Sequence, residues 1–208
     1  MKRGLFITLE GSDGSGKSTQ LELLKDFLIK SGYNVVVTRE PGGTAISEKI
    51  RELLLDKNNS EMTGVTEMLL YAAARSQHVF EVIKPALERG DIVICDRFVD
   101  SSVAYQSYGR NLGEQVEIVN EFATLGFKPD VTFLLMLNPE TAKTRIGTPN
   151  RDRLESEQAE FFTEVARGYK ELAKRYPDRI VEIDAGLSIE EIHGKICNKL
   201  QQKLFNLR

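Results

Sequence analysis

One segment, Gly11–Ser18 with the letters GSDGSGKS, constrains the fold more than any other part of the sequence. It matches the pattern Gly-x4-Gly-Lys-Ser/Thr, in which a glycine-rich loop joins a strand to a helix. The apolar run Leu5–Leu9 predicts a buried strand before the loop, and leucines recur after it at helical spacing: Leu21, Leu24 and Leu28. The sequence therefore predicts a strand, a phosphate-binding loop (P-loop) and a helix in direct succession.

The residue types of this loop suit the binding of a nucleoside triphosphate. Glycines let the backbone N–H groups approach the phosphates, and the helix start adds further free N–H groups. Lys17 can reach the β- and γ-phosphate oxygens, and the Ser18 hydroxyl can bind Mg²⁺. Asp13 is unexpected, because its carboxylate would repel phosphates. The predicted nucleotide-binding residues are Gly11, Ser12, Asp13, Gly14, Ser15, Gly16, Lys17, Ser18 and Thr19.

Short apolar runs alternate with helical patterns along the rest of the chain. The predicted strands are 5–9, 35–37, 91–95, 131–137 and 180–183, and later helices are predicted at 114–125, 139–146, 156–175 and 188–205. Such alternation implies right-handed crossovers and a parallel sheet covered by helices. We therefore predict an α/β protein with a P-loop NTPase-type three-layer α/β/α fold, a five-stranded mainly parallel sheet and a single domain over residues 1–208.

Composition and charge narrow the partners that such a chain can have. The net charge of −3 disfavours a general nucleic-acid binder or a protein of acidic membrane surfaces. No apolar run approaches the ~20 residues that span a bilayer, and none reads as a signal peptide. The two cysteines lie far apart in the sequence. We therefore expect a cytoplasmic protein in a reducing compartment.

A P-loop leaves several function classes open. A switch GTPase needs a guanine-selecting Asn-Lys-x-Asp sequence, but Leu200 and Gln201 follow the single Asn-Lys pair, Asn198-Lys199. A small kinase must hold a second substrate beside the γ-phosphate and exclude water. A regulatory nucleotide-binding switch would bind the triphosphate with no acceptor. An acceptor site is therefore the feature that would distinguish a kinase.

Asp96 and Arg97 follow the buried run 92–95 directly. Ligands of open α/β sheets bind at the carboxyl ends of the strands. Asp96 is therefore a candidate to hold Mg²⁺, and Arg97 is a candidate to hold an anion between two substrates. A surface ion pair of little energetic value is the alternative for these two residues.

Four motifs together resemble the bacterial thymidylate kinases. They are EGSDGSGKST at 10–19, TREPGGT at 38–44, LYAAARSQH at 70–78 and DRFVDSSVAYQ at 96–106, and the similarity continues through DRLE at 152–155. This resemblance covers nearly the whole chain and implies that the protein phosphorylates dTMP to dTDP with ATP and Mg²⁺. It also implies a homodimer. A deoxynucleoside kinase or another nucleoside monophosphate kinase is the enzymatic alternative.

The resemblance also implies which side chains hold dTMP. Asp13 would face the sugar 3′-hydroxyl, Tyr71 would stack on the thymine although the family more often has Phe there, and Tyr105 would exclude a ribose 2′-hydroxyl. The predicted substrate-binding residues are Asp13, Glu40, Arg51, Tyr71, Arg75, Arg97, Ser102, Tyr105 and Gln106. Arg51 and Arg97 would hold the phosphate, and Arg75, Ser102 and Gln106 the base. The alternative for both tyrosines is a core aromatic on an amphipathic helix, and the alternative for Arg75 is an exposed helix charge.

The segment at about 144–156 has the composition of a mobile lid, because Gly147 and Pro149 interrupt a helical pattern. The family supplies a catalytic arginine from either the P-loop or the lid. Gly14 occupies the P-loop position here and carries no charge, so the resemblance implies the lid type. The alternative is a solvated basic loop. The predicted catalytic residues are Lys17, Asp13, Arg97 and the lid arginines Arg145, Arg151 and Arg153.

Overall fold

The computed structural model describes residues 4–138, 141 and 152–205. Five strands form one sheet in the order β2-β3-β1-β4-β5, and every neighbouring pair is parallel. The strands are β1 Phe6–Glu10, β2 Val35–Arg39, β3 Ile92–Asp96, β4 Val131–Met136 and β5 Ile180–Asp184. The predicted α/β fold with a five-stranded sheet is thus confirmed, and the sheet is fully parallel.

Helices connect these strands. They are α1 Lys17–Lys30, α2 Ala45–Leu55, α3 Gly64–His78, α4 Lys84–Glu88, α5 Val99–Ser102, α6 Gln115–Thr124, α7 Ala159–Arg175 and α8 Ile189–Phe205. Two π-helical segments, Val79–Ile83 and Val103–Gly109, continue α3 and α5. Pro85 is the second residue of α4, which follows the first π-helical segment directly. Among the described residues, no helix is long and apolar enough to cross a membrane.

The sheet is covered on both faces, as a three-layer arrangement requires. Side chains alternate along a strand, so Ile7 and Leu9 of β1 pack with α1 and α8, while Phe6 packs with residues near α4 on the opposite face. A third cluster joins α7, α6 and the π-helical segment Val103–Gly109. Because β1 and β3 are neighbours, with Leu9 opposite Asp96, the loops that follow them lie side by side.

Two predictions concern residues that lie wholly or partly outside the described ranges. The predicted helix 139–146 lies outside the described residues except for Thr141. Of the predicted lid, 144–151 also lies outside them, including Arg145 and Arg151, whereas Asp152–Ser156 is described. The helix predicted to begin at 156 begins instead at Ala159, because Asp152 and Glu155 exchange side chain-to-backbone hydrogen bonds in a turn before it.

Candidate active site

The P-loop follows β1 and leads into the first turn of α1. Gly11 has a φ of 133°, and a Cβ there would lie 2.3 Å from the carbonyl oxygen of Leu135, so only glycine fits. Gly16 caps the helix with a φ of 90°. Lys17 is the first residue of α1, and Ser18 and Thr19 follow it in the same turn. The loop therefore brings backbone N–H groups and a cation to one end of the sheet.

Lys17 is buried against the loop itself. Its Nζ donates hydrogen bonds to the carbonyl oxygens of Gly11 at 3.0 Å and Ser12 at 2.9 Å. Burial, together with the nearby charge of Arg97, lowers the Lys17 pKa to about 8. A phosphate anion beside Nζ would favour the protonated form. The Ser15 hydroxyl is likewise buried, and it has no hydrogen-bond partner among the described residues.

Asp13 joins the P-loop to Arg97. Its Oδ1 accepts a hydrogen bond from Arg97 Nη2 at 2.7 Å and lies 3.7 Å from Lys17 Nζ. Chiefly through the charge of Arg97, the pKa of Asp13 falls to about 2. Asp13 is therefore ionised at neutral pH, and it contacts two cations, Lys17 of the P-loop and Arg97 after β3.

Arg97 has an unusual backbone conformation for an arginine, with a φ of 67°. Its Nη1 donates to Ser101 Oγ at 3.2 Å and to Tyr169 Oη at 3.3 Å, and its guanidinium lies 5.4 Å from the ring centre of Tyr105. These contacts and the Asp13 ion pair fix the guanidinium from several directions. The residue that the sequence places after β3 is thus directed toward the P-loop.

A cleft of about 160 Å³ opens beside Asp13 and Arg97. All nine predicted substrate-binding residues line it: Asp13, Glu40, Arg51, Tyr71, Arg75, Arg97, Ser102, Tyr105 and Gln106. The other lining residues, none of which is a predicted site residue, are Pro41, Leu55, Ser101, Asp152, Leu154, Glu155 and Phe162. Positions widely separated in the sequence therefore meet in one cavity next to the P-loop.

Arg75 is the most constrained side chain of this cleft. It is only 2% exposed, which rules out the exposed helix charge that the sequence left open. Nε donates to Glu40 Oε2 at 2.7 Å, and Nη2 donates to the Phe98 carbonyl at 3.1 Å. Nη1 donates to Ser102 Oγ at 2.9 Å and to Asn120 Oδ1. Its guanidinium is therefore held in place by the protein.

Glu40 is buried between two partners. Its second oxygen, Oε1, contacts His78 Nδ1 at 2.9 Å, and His78 Nε2 lies 2.6 Å from Thr38 Oγ1. His78 thus has a structural role that orients Glu40. On α3, Tyr71 and Arg75 are four residues apart, so both project toward the cleft from one helical face.

A family model described as thymidylate kinase matches residues 9–196. The chain is 52% identical to a thymidylate kinase of Exiguobacterium sp. over 203 residues, which is 97% of this chain and 96% of that protein. It is 50% identical to a thymidylate kinase of Thermoanaerobacter sp., over 97% of this chain and 100% of that protein.

The fold comparison agrees. A crystal structure of thymidylate kinase from Ehrlichia chaffeensis has a TM-score of 0.76 at 35% identity, covering 96% of this chain and 99% of that one. The chain belongs to the thymidylate kinase family. Membership explains why a P-loop and a second polar cleft lie side by side, and it favours a dTMP kinase over the deoxynucleoside kinase alternative.

Thymidylate kinases take ATP as phosphate donor, and the Mg²⁺ that accompanies ATP fits the residues present here. Asp96 Oδ1 is buried and has no hydrogen-bond partner within the described part of the chain. The side chain of Ser18 is exposed at the start of α1. A carboxylate and a hydroxyl oxygen are the hard ligands that Mg²⁺ prefers. Ser18 and Asp96 are therefore the residues that would hold the ion.

The three arginines of the predicted lid divide into two groups. Arg145 and Arg151 lie outside the described residues. Arg153 is 8% exposed, and its Nε donates to the Leu54 carbonyl at 2.8 Å while Nη2 donates to Glu67 Oε2 at 2.7 Å. Arg153 is not one of the described residues that line the cleft. The geometry favours a structural role for Arg153 over the predicted catalytic one.

Sequence reasoning missed Glu10, the last residue of β1. This buried carboxylate accepts hydrogen bonds from Phe98 N at 2.7 Å, Ser101 Oγ at 2.5 Å and Tyr169 Oη at 3.1 Å. Burial and the charge of Asp100 raise the Glu10 pKa to about 7. The sequence signal that could have found Glu10 is a carboxylate at the end of a buried apolar strand. Only the fold shows that Ser101 and Tyr169, which contact Arg97, also contact Glu10.

Proposed function

We propose that the protein transfers the γ-phosphoryl group of ATP to the phosphate of dTMP, which gives ADP and dTDP. One observation carries the proposal: Asp13 and Arg97, paired at 2.7 Å, border both the P-loop and the cleft. Two substrates bound on either side of this pair would meet at their phosphates. A nucleotide-binding switch without an acceptor has no use for such a cleft.

The acceptor phosphate is the nucleophile. One of its oxygens forms a bond to the γ-phosphorus of ATP, while the bond from that phosphorus to the β–γ bridging oxygen breaks and ADP leaves. A phosphate monoester is already largely ionised at pH 7, so the step needs positioning more than it needs a general base. Arg51 and Arg97 supply that positioning, because two anions approach only when cations offset their charges.

On the donor side, the P-loop N–H groups and Lys17 bind the β- and γ-phosphates. Ser18 and Asp96 would hold Mg²⁺ there, and the ion would neutralise developing charge on those oxygens. Arg145 and Arg151 are our candidates for the cation that contacts the transferred group, which would make 144–156 a lid on a single domain of residues 1–208. Such an arginine contributes about 10³–10⁵ in rate.

On the acceptor side, we assign the base to the wall formed by Tyr71, Arg75, Ser102 and Gln106. Burial raises the pKa of Tyr71 and Tyr105, the latter to about 12, so both remain neutral rings. Tyr71 would stack on the base, and Tyr105 would lie near the sugar, where a 2′-hydroxyl would clash. Asp13 and Glu40 line the same cleft, and Asp13 would accept a hydrogen bond from the 3′-hydroxyl.

We also propose a homodimer formed through α3 and α6. These helices pack against each other, and they carry or adjoin exposed apolar side chains: Val65, Leu69, Ile118, Phe122 and Leu125. Phe122 is 83% exposed. Exposed apolar side chains on adjoining helices suit an interface, and a second copy of the chain is the occupant that the family resemblance implies.

We place the reaction in the cytoplasm.

A coupled assay of ADP release tests the reaction. The panel of acceptors is dTMP, dUMP, UMP, dCMP, AMP and thymidine, each with ATP and Mg²⁺. Strong turnover that depends on dTMP supports the proposal, and omission of Mg²⁺ should abolish it. Turnover with thymidine but not with dTMP would indicate a deoxynucleoside kinase and contradict the proposal, as would slow hydrolysis that no acceptor accelerates.

A further inference from the structure

Glu67 is a buried carboxylate that the proposed reaction does not use. It lies on α3, one turn before Tyr71, and its side chain is 0% exposed. Two arginines bind it from behind the cleft: Arg110 through Nη2 at 2.9 Å and Nε at 3.1 Å, and Arg153 through Nη2 at 2.7 Å. A further contact reaches the cleft wall, where Gln106 Nε2 donates to Glu67 Oε1 at 2.8 Å.

The charge of Glu67 determines how Gln106 is oriented. Burial opposes ionisation, but the hydrogen bonds from Arg110, Gln106 and Arg153 outweigh it and hold the Glu67 pKa below its usual range. An ionised carboxylate accepts hydrogen bonds and donates none. Only the NH₂ end of the Gln106 amide can therefore face Glu67, which leaves the carbonyl oxygen of Gln106 at the opposite end.

We propose that Glu67 is a positioning residue for the acceptor base: by binding the amide NH₂ of Gln106, it presents the Gln106 carbonyl oxygen to a ring N–H of the base. The inference rests on the proposed function, which assigns the base to this wall of the cleft. Thymine and uracil carry an N–H at ring position 3, whereas cytosine has an unprotonated acceptor nitrogen there. Glu67 thus favours thymine-type bases over cytosine without contacting either.

A double-mutant cycle on the kinetics of dTMP phosphorylation tests this role. Glu67→Gln should raise the KM for dTMP about tenfold, because a neutral amide at 67 can accept or donate and lets Gln106 rotate. The kcat and the KM for ATP should change little. Gln106→Leu should have a similar effect, and the double variant should be no worse than Gln106→Leu. Additive effects would overturn the proposal.

Glu157→Gln provides a matched control. Glu157 Oε1 lies 2.6 Å from Arg110 Nη2, so this variant removes a carboxylate from the same arginine while the contact between Glu67 and Gln106 remains. We expect the KM for dTMP to be unchanged. A rise equal to that of Glu67→Gln would assign the effect to Arg110 and overturn the proposal.

Binding of an altered base gives a second readout that does not need Glu67→Gln to fold. The probe is a dTMP analogue in which C–H replaces the ring N3–H, measured by calorimetry. The wild-type protein should bind it about tenfold more weakly than dTMP, and Gln106→Leu should bind the two equally. Equal binding by the wild type would overturn the inference. Failure of the wild type to phosphorylate dTMP would instead contradict the proposed function, so the two failures are distinguishable.

Discussion

At the residue scale, two carboxylates, Glu10 at the end of β1 and Asp13 within the P-loop, differ in charge because their surroundings differ. Asp13 is paired with Arg97, and its pKa falls to about 2. Glu10 is buried near the charge of Asp100, and its pKa rises to about 7. Asp13 therefore keeps its charge throughout the physiological range, whereas Glu10 titrates within it.

We expect Asp13→Ala to lower kcat/KM for dTMP by about a hundredfold, because the substitution removes the partner of Arg97 and the acceptor for the 3′-hydroxyl. The KM for ATP should change much less. An analogue of dTMP without the 3′-hydroxyl is the control substrate: the wild type should discriminate against it, and the variant should not. If the variant still prefers dTMP, Asp13 does not contact the sugar.

Glu10 makes a testable contribution to the pH dependence of stability. Its folded pKa of about 7 lies above the ordinary 4.5, so the folded state binds more protons between these values and stability falls as the pH rises through that window. Glu10→Gln cannot ionise. The free energy of unfolding of this variant, relative to the wild type, should rise by about 3 kcal/mol from pH 4.5 to 8.

Urea unfolding of both proteins at pH 4.5 and pH 8 measures this difference. Glu22→Gln is the control, because Glu22 is exposed and forms an ion pair with Lys25 on the surface of α1. It should behave like the wild type at both pH values. The same difference between Glu10→Gln and the wild type at both pH values would show that Glu10 does not titrate in this window.

At the element scale, the sequence predicted the catalytic end of the fold well. All five strands and the helix after the P-loop were predicted, because runs such as Ile92–Cys95 are apolar throughout. The family motifs also predicted nine of the sixteen residues that line the cleft. Periodicity did not predict the π-helical turn at Val103–Gly109, a segment that packs against α7. It likewise gave no sign that Arg153 would pair with Glu67 on distant α3.

The arginines of the proposed lid should differ in function, and substitution of each one tests this. Arg145→Ala or Arg151→Ala should lower kcat by at least a hundredfold while ATP still binds, because a cation at the transferred group acts in the transition state. Arg167→Ala, which removes an exposed arginine of α7, is the control and should have normal kcat. Normal turnover in both lid variants would remove the lid from the mechanism.

Arg153→Ala should behave differently. It leaves the buried Glu67 carboxylate with one arginine fewer, and breaking a buried pair costs about 3–5 kcal/mol. We therefore expect a loss of unfolding free energy near the lower end of that range, since Arg110 remains. Chemical denaturation measures it. Unchanged stability together with a hundredfold loss in kcat would restore Arg153 as a catalytic candidate.

At the scale of the whole molecule, the helix after the P-loop and the helix that carries Tyr71 and Arg75 lie on opposite faces of the sheet. Helix α1 packs on one face of the sheet directly after the P-loop, and α3 lies on the other face. The exposed Val65 and Leu69 of α3 lie close in the chain to Tyr71 and Arg75, which we assign to the acceptor base. A dimer through α3 and α6 would therefore support this part of the cleft rather than the P-loop.

Phe122→Glu tests the proposed dimer. A charge at this exposed apolar position should convert the protein to a monomer in sedimentation equilibrium, because a buried unpaired carboxylate opposes association. The KM for dTMP should rise more than the KM for ATP. Ile29→Glu alters a residue that is 51% exposed on α1 and should leave the mass unchanged. A monomeric wild type would contradict the proposed dimer.

The hydrogen bonds of Arg75 have a consequence for the design of inhibitors. A guanidinium has five N–H groups, and contacts within the described chain engage four of them through Glu40, Ser102, Asn120 and the Phe98 carbonyl. One N–H is left for a compound in the cleft. A carboxylate or nitro group aimed at Arg75 would gain a single hydrogen bond, so a lone carbonyl should serve as well and cost less to desolvate.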